Sequence, residues 1–167
     1  MRGLMPGIVI RQVEPIDLET CVKVEAKCFP PEEAASSQNI KKRITLYPEG
    51  FWVAQKQGKV VGFVNSGATN QDDISDEAFK ALSGHNPLGK NIVIFSLAVA
   101  PEAQKQGIAH LLMHRFIDES KALRKKNILL LCKEHMISFY QKFGFSDAGE
   151  SASNHGGAKW HEMLLKL

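Results

Sequence analysis

The stretch NIVIFSLAVAPEAQKQGIAH, residues 91–110, decides the fold. Asn91 to Ala100 is apolar almost throughout, as a strand covered on both faces must be, and Pro101 closes the run. From Gly107 onward Ala109, Leu112, Met113, Phe116, Ile117 and Ser120 recur on one face at the helical period, while His110, His114, Arg115, Glu119 and Lys121 mark the other. Ile128 to Cys132 (ILLLC) is a second buried strand. Strand, helix and strand therefore make one βαβ crossover with parallel strands.

Working outward, Ile8 to Val13 alternates like a short first strand, and Glu14-Pro15-Ile16-Asp17 offers a turn with Asp17 as helix N-cap. Leu18, Cys21, Val22, Ala26 and Phe29 follow at helical spacing until Pro30-Pro31. A second helix starts at Ser36 or Ser37 and carries Ile40, Ile44 and Tyr47 before Pro48 ends it. Phe51 to Lys56 and Lys59 to Ala68 are β-rich, with Gln57-Gly58 as a hairpin turn between them. Thr69 to Lys90 is polar and acidic, with a short helix expected at Ser75 to Leu82 and a turn at His85-Asn86-Pro87; it exceeds ordinary connection lengths, as functional loops do. Met136 to Phe143 is a short helix ended by Gly144, and two strands around Gly156-Gly157 complete the chain.

The 167 residues are 44% hydrophobic, with 21 Lys plus Arg against 18 Asp plus Glu. This is one soluble α/β domain spanning 1–167, with a mixed, mostly antiparallel sheet. At this length roughly 70% of the unfolded surface can be buried, so the core needs neither metal nor disulfide. A net charge of +3 is small, and the basic runs Lys41-Lys42-Arg43 and Lys121 to Lys126 lie in helical patterns where one solvated face explains them, so no nucleic-acid partner is expected. No apolar run approaches a membrane span, and Met1 to Ile10 lacks a signal-peptide core, so the protein reads as cytoplasmic. Cys21 and Cys28 are about 10 Å apart along one helix, too far to bridge, and with Cys132 they are expected as reduced packing residues.

The chemistry concentrates in Gln104-Lys105-Gln106-Gly107-Ile108-Ala109, between the buried strand and the long helix. There the first backbone N–H groups lack intrahelical partners and the helix dipole is positive. Gly107 lets a ligand approach the backbone and Ala109 keeps bulk away. This pattern suits an anion. It is neither a P-loop nor a three-glycine dinucleotide fingerprint, so a mononucleotide-type pyrophosphate fits better.

Gln104, Gly107 and Ala109 match the Arg/Gln-x-x-Gly-x-Gly/Ala motif of the Gcn5-related N-acetyltransferase (GNAT) superfamily, and the order of elements resembles that family over nearly the whole chain. Within it the chain is most similar to the arylalkylamine (serotonin-type) N-acetyltransferases. The segments that carry this likeness are Cys28-Phe29-Pro30-Pro31-Glu32-Glu33-Ala34-Ala35-Ser36, His85-Asn86-Pro87 with Gly89, and Phe139-Tyr140-Gln141-Lys142-Phe143-Gly144-Phe145. The resemblance implies a GNAT fold, with a seven-stranded sheet flanked by four to five helices. It implies acetyl-CoA as cosubstrate and direct transfer of acetyl to a small primary amine. Backbone groups of Leu97, Ala98 and Val99 would hold the thioester carbonyl and pantetheine arm, and Gln104, Lys105, Gln106, Gly107, Ile108, Ala109 and His110 the pyrophosphate. Tyr140 matches the family's general acid.

Two protons must move. The attacking amine, with a pKa near 10, is only about one part in 10³ neutral at pH 7, an unfavourable term near 4 kcal/mol. Where the resemblance places histidine bases, this chain has Val93 and Phe95. Glu25, Glu33, His85 and Glu134 are the substitutes the sequence offers. Tyr140 would give a proton to the departing thiolate, while a covalent route through Cys132 lacks a histidine placed to activate it. His110 and His114 lie on a polar helix face without a third ligand, so no metal is expected. The rivals are a protein or peptide N-acetyltransferase, which needs an open groove, and a non-catalytic acetyl-CoA sensor. The loop 69–90 discriminates the first: folded over the acceptor site, it leaves no room for a polypeptide.

Overall fold

The computed structural model describes residues 7–167, so the first six residues of the N-terminal reading lie outside the described part. Seven strands form a single sheet in the order β1-β2-β3-β4-β5-β7-β6. They are β1 (Ile8–Gln12), β2 (Trp52–Lys56), β3 (Lys59–Thr69), β4 (Asn91–Val99), β5 (Asn127–Cys132), β6 (Ser146–Glu150) and β7 (His161–Lys166). Every adjacent pair is antiparallel except β4 and β5, the two arms of the expected crossover. The helices are α1 (Leu18–Cys28), α2 (Ser37–Leu46), α3 (Ile108–Ala122) and α4 (Ile137–Gln141). No helix among the described residues is long and apolar enough to cross a membrane.

Local chemistry explains most boundaries. Ser36 Oγ accepts the Asn39 N–H at 3.1 Å and starts α2. The β2–β3 hairpin turns through Gln57 and Gly58 at φ of 51° and 78°, the left-handed pair that matches strand twist. Asp17 stands at the N-cap of α1 but does not cap it with its side chain. Its carboxylate instead takes both Arg11 Nη1 and Nη2, at 2.8 and 2.9 Å, and the Glu14 N–H at 2.8 Å. A charge-assisted fork outcompetes a neutral cap.

Two cores sandwich the sheet. On one face Ile108, Leu112, Met113 and Phe116 of α3 pack on Ile92, Ile94, Ile128 and Leu130. On the other, Cys21 and Val24 of α1 and Ile40 and Ile44 of α2 pack on Phe51, Val53 and Phe63. Each such side chain contributes about 1.5–3 kcal/mol by leaving water. The buried stripe of α1 includes Glu25, whereas Ala26, expected on that face, is exposed. Arg43 departs likewise from the solvated run read at 41–43: Lys41 and Lys42 are exposed and Arg43 is buried. Lys125 is also buried, donating to the Pro87 and Gly89 carbonyls at 2.6 and 2.7 Å.

The loop 69–90 folds onto the sheet, with Ile74 and Phe79 packed on Val93. The helix expected at 75–82 is a single tight turn, Glu77–Ala81, capped by Asp76 Oδ1 accepting the Ala78 N–H at 3.0 Å. Residues 151–160 form an excursion between β6 and β7, longer than the turn expected around Gly156-Gly157.

Candidate active site

β4 and β5 are paired only over Asn91–Ile94 and Asn127–Leu130, after which they part. On its other edge β4 carries a bulge: Asn65 lies opposite Ser96 and Ser66 opposite Ile94, so Phe95 is an extra residue. The Ala100 N–H bonds the Val61 carbonyl of β3 at 2.7 Å. Alternation along the strand then turns the backbone groups of Ala98 to β3 and those of Leu97 and Val99 toward the gap. The Val99 carbonyl indeed takes the Gln104 side-chain amide at 2.9 Å and the Cys28 thiol at 3.2 Å.

The gap opens into a cavity of about 570 Å³ walled by β4, β5, the α1–α2 junction, the loop 69–90 and the segment 155–160. Glu25, only 2% exposed, stands in this wall. Its Oε2 accepts the Ala35 N–H at 2.8 Å and the Ser96 hydroxyl at 3.3 Å, while Oε1 is buried without a partner. Burial pushes its pKa above the usual 4.5, and the Ala35 amide and the cations Arg43 and Lys80 offset this only in part. Arg43 is equally buried and sits over the Phe95 ring, 4.5 Å from its centroid; burial lowers its pKa to about 10. Lys80, from the loop, faces the same space, and burial lowers its pKa too.

Across the cavity, Tyr140 of α4 is 7% exposed and packs edge-on against Phe139 and Phe145. Burial, then the neighbouring Cys132, raises its pKa, so the phenol keeps its proton. Burial likewise pushes the Cys132 thiol up to about 11, an inert value at neutral pH. Two ties close the far side. Glu33 is ion-paired with Lys133 at 2.8 Å, and the His155 ring meets the Glu77 carboxylate through Nδ1 and the Glu33 carbonyl, at 2.9 Å, through Nε2.

At the open end of the gap, α3 begins at Gly107, whose φ of 82° places it in the left-handed region, as does the 63° of Lys105. The sequence model of the acetyltransferase (GNAT) family matches residues 18–145. The chain belongs to the GNAT family. Serotonin N-acetyltransferase of Mesocricetus auratus is 24% identical over 172 residues, covering 99% of this chain and 81% of that protein. A probable hydrolase of Bacillus subtilis, YhcX, is 26% identical over 132 residues, and the match spans 74% of this chain and only a quarter (25%) of that protein. Among solved structures, the loading GNATL domain of CurA from Lyngbya majuscula superposes with a TM-score of 0.85 at 15% identity, covering 95% of this chain and 97% of that one. Acetyl-CoA is the group donor that membership in this acetyltransferase family brings with it.

Of the residues expected at the site, Leu97, Ala98, Val99, Gln104, Ala109 and Tyr140 line one cavity. Lys105, Gln106, Gly107, Ile108 and His110 are outside its wall, at the rim formed by the start of α3. There the side chain of Ile108 is core, so only its N–H can face a ligand. His110 and His114 are not a plain solvated face: both pack against the Phe143 ring of α4, and His110 also against Phe139. Gln104 spends its amide on Val99 and Gln106 holds the Lys56 ammonium at 2.7 Å, a cation beside the loop that no motif signalled. Of the four carboxylates and imidazoles considered as bases, Glu25 and Glu33 line the cavity. Glu134 is exposed and outside the wall, and His85 also lies outside it, beside β3, where its Nδ1 accepts the Ala68 N–H at 2.9 Å. The residues missed were Arg43 and Lys80. Arg43 was visible in principle, because it falls on the apolar face with Ile40, Ile44 and Tyr47 at i, i+3, i+4 and i+7.

Proposed function

We propose that this chain acetylates a small primary amine of the arylalkylamine class, by direct attack within a ternary complex. The observation that carries the reading is the unpartnered Oε1 of buried Glu25, in the same cavity as the protonated Tyr140. Acetyl-CoA supplies an acetyl group activated as a thioester. The outward-turned backbone groups of Leu97 and Val99 suit an extended pantetheine arm, which can pair with the open edge of β4 as an added strand would. The first-turn amides of α3, approached past Gly107, suit the diphosphate.

With Val93 and Phe95 apolar, proton removal falls to Glu25, whose Oε1 accepts the ammonium proton of the acceptor directly or through one water. Its raised pKa makes it a stronger base than an exposed glutamate. Tyr140 holds its hydroxyl proton against the sulfur, gives it to the thiolate as the C–S bond breaks, and is restored by the second proton that the nitrogen sheds as the amide forms. Glu33 is excluded from the base role by its ion pair with Lys133.

The acceptor is small because the loop 69–90 covers the cavity with Ile74 and Phe79, and the His155–Glu77 tie fastens that loop to the 155–160 segment. A polypeptide would need both displaced. Phe29, Phe79, Phe95 and Phe139 supply aromatic wall for an aryl group. The test is a screen of tryptamine, phenethylamine, spermidine and peptide acceptors with acetyl-CoA, read by free-thiol release. Turnover of the aryl amines supports the reading; turnover of peptides alone removes it.

A further inference from the structure

We propose that Arg43 and Lys80 form a carboxylate subsite in the acceptor half of the cavity, so that the preferred acceptor is an arylalkylamine bearing its own carboxylate, as an aromatic amino acid does. The proposal rests on the small-amine reading above and adds the charge that the amine must carry.

The two cations are not accounted for by the fold. Arg43 Nε and Nη2 donate to the Lys80 carbonyl at 3.2 and 3.0 Å, and Nη1 donates to Asn65 Oδ1 at 3.3 Å. Three of the five guanidinium N–H groups are thus engaged, all by neutral oxygens, and two remain. Lys80 Nζ has no carboxylate within ion-pair distance among the described residues. Holding a buried guanidinium and a half-buried ammonium with no ion-paired carboxylate is costly, and a bound anion repays that cost.

The carboxylates around them are spoken for. Glu33 is paired with Lys133, Glu77 bonds His155 and acts on Lys80 from outside the cavity wall, and Asp76 caps its own turn while exposed. Glu25 alone is near both cations, and its burial favours the neutral form. Arg43, Lys80 and Glu25 together therefore carry a charge of about +1 with Glu25 ionised and about +2 with it protonated. A plain ammonium enters against that field. An amino acid zwitterion brings a compensating carboxylate to Arg43 and Lys80 while its ammonium faces Glu25.

Matched pairs test this: phenylalanine against phenethylamine and tryptophan against tryptamine, each with acetyl-CoA and thiol detection. The expected result is a kcat/KM at least about tenfold higher for the amino acids. Lys80→Gln should cut the amino-acid value by about ten- to hundredfold and collapse the preference, the loss of one charge-assisted contact. Among the described residues the Lys80 side chain makes no hydrogen bond or ion pair, so this variant keeps its structure; Arg43→Lys, which keeps charge but loses the fork, should shift the ratio in the same direction. Calorimetry with 3-phenylpropanoate, which has the carboxylate and no amine, should show binding that Lys80→Gln weakens by a similar factor. A carboxylate could also arrive on the acyl chain, so malonyl-CoA and succinyl-CoA are run with the plain amines. A preference for those donors that Lys80→Gln abolishes assigns the pair to the acyl side and overturns the proposal. Equal or better turnover of the plain amines with acetyl-CoA also overturns it and leaves the small-amine reading standing. Failure of all four amines removes both.

Discussion

Replacing Glu25 by Gln keeps the shape of the side chain and removes the base. The remaining oxygen can still accept the Ala35 N–H and the Ser96 hydroxyl, so α1 stays docked. Without a proton acceptor in the cavity, reaction must draw on amine that is already neutral in solution. For an amine of pKa near 10 that is about one part in 10³ at pH 7, so the loss in kcat/KM approaches 10³ and shrinks about tenfold per pH unit until it vanishes near pH 10. Stability should move the other way. Because burial holds the Glu25 pKa above 4.5 in the fold, the native state binds more protons than the unfolded chain just above that pH. Its stabilising contribution is complete below 4.5 and is lost as pH rises through the native value. The Gln variant escapes this, so its Tm should exceed that of the parent at pH 7 and converge toward it near pH 4. Thiol release from acetyl-CoA with phenethylamine between pH 6 and 10, beside thermal melts at pH 4 and 7, reads both effects. A loss under about fivefold at pH 7, or one that stays constant up to pH 10, refutes Glu25 as the base.

Tyr140→Phe should lower kcat by about 10²-fold at pH 7 with acetyl-CoA affinity retained, and the deficit should narrow above pH ~9, where thiolate departs unaided; a rate equal to the parent at every pH removes Tyr140 from the chemistry. Gly107→Val forces a β-branched residue into a φ of 82° at the start of α3, where the diphosphate is proposed to bind, and should weaken acetyl-CoA binding by calorimetry by more than about tenfold; native affinity in a folded variant contradicts that placement. Asp17→Asn should cost about 1–3 kcal/mol in urea unfolding at pH 7, because it breaks the fork with Arg11. Burial raises the Asp17 pKa, but the Arg11 and Glu14 bonds prevail and hold it below 3.8, so this contribution is present above 3.8 and is lost as pH falls through the native value. The variant should therefore show a flatter acid limb, and an unchanged limb would contradict the assignment.

What was legible in the sequence was whatever a local rule dictates. An unbroken apolar run announces a strand buried on both faces, so β4 and β5 could be placed within a residue, and Gly107 could be placed at the start of α3 because few other residues suit that backbone. The loop 69–90 was legible as long but not as folded, since Ile74 and Phe79 acquire a partner only when Val93 is brought beneath them. Polar residues on buried faces were the hardest. Glu25 and Arg43 occupy apolar helical positions, yet a charge in such a place looks like an error in the period until a cavity gives it somewhere to point. Lys80 sits in irregular backbone, where no period exists to flag it.

One irregularity in β4 joins the two halves of the site. Below the bulge, Ile92 and Ile94 face α3 while Val93 meets the loop 69–90 on the opposite face. Above it the parity is reversed: Leu97 and Val99 belong with the α3 core, and Ala98 with the α1–α2 core. An extra residue in a strand has this consequence because side chains alternate with period two. Phe95 and Ser96 are left side by side on the acceptor face, the ring under Arg43 and the hydroxyl on Glu25. The bulge coincides with the end of pairing to β5, just past Ile94, so the opening that suits the pantetheine arm and the surface that carries the candidate base arise at one step of the chain. Were the strand to alternate regularly through all of these residues, with no bulge, Ser96 would turn into the α3 core, Glu25 would lose a hydroxyl partner, and Leu97 and Val99 would turn their side chains away from α3.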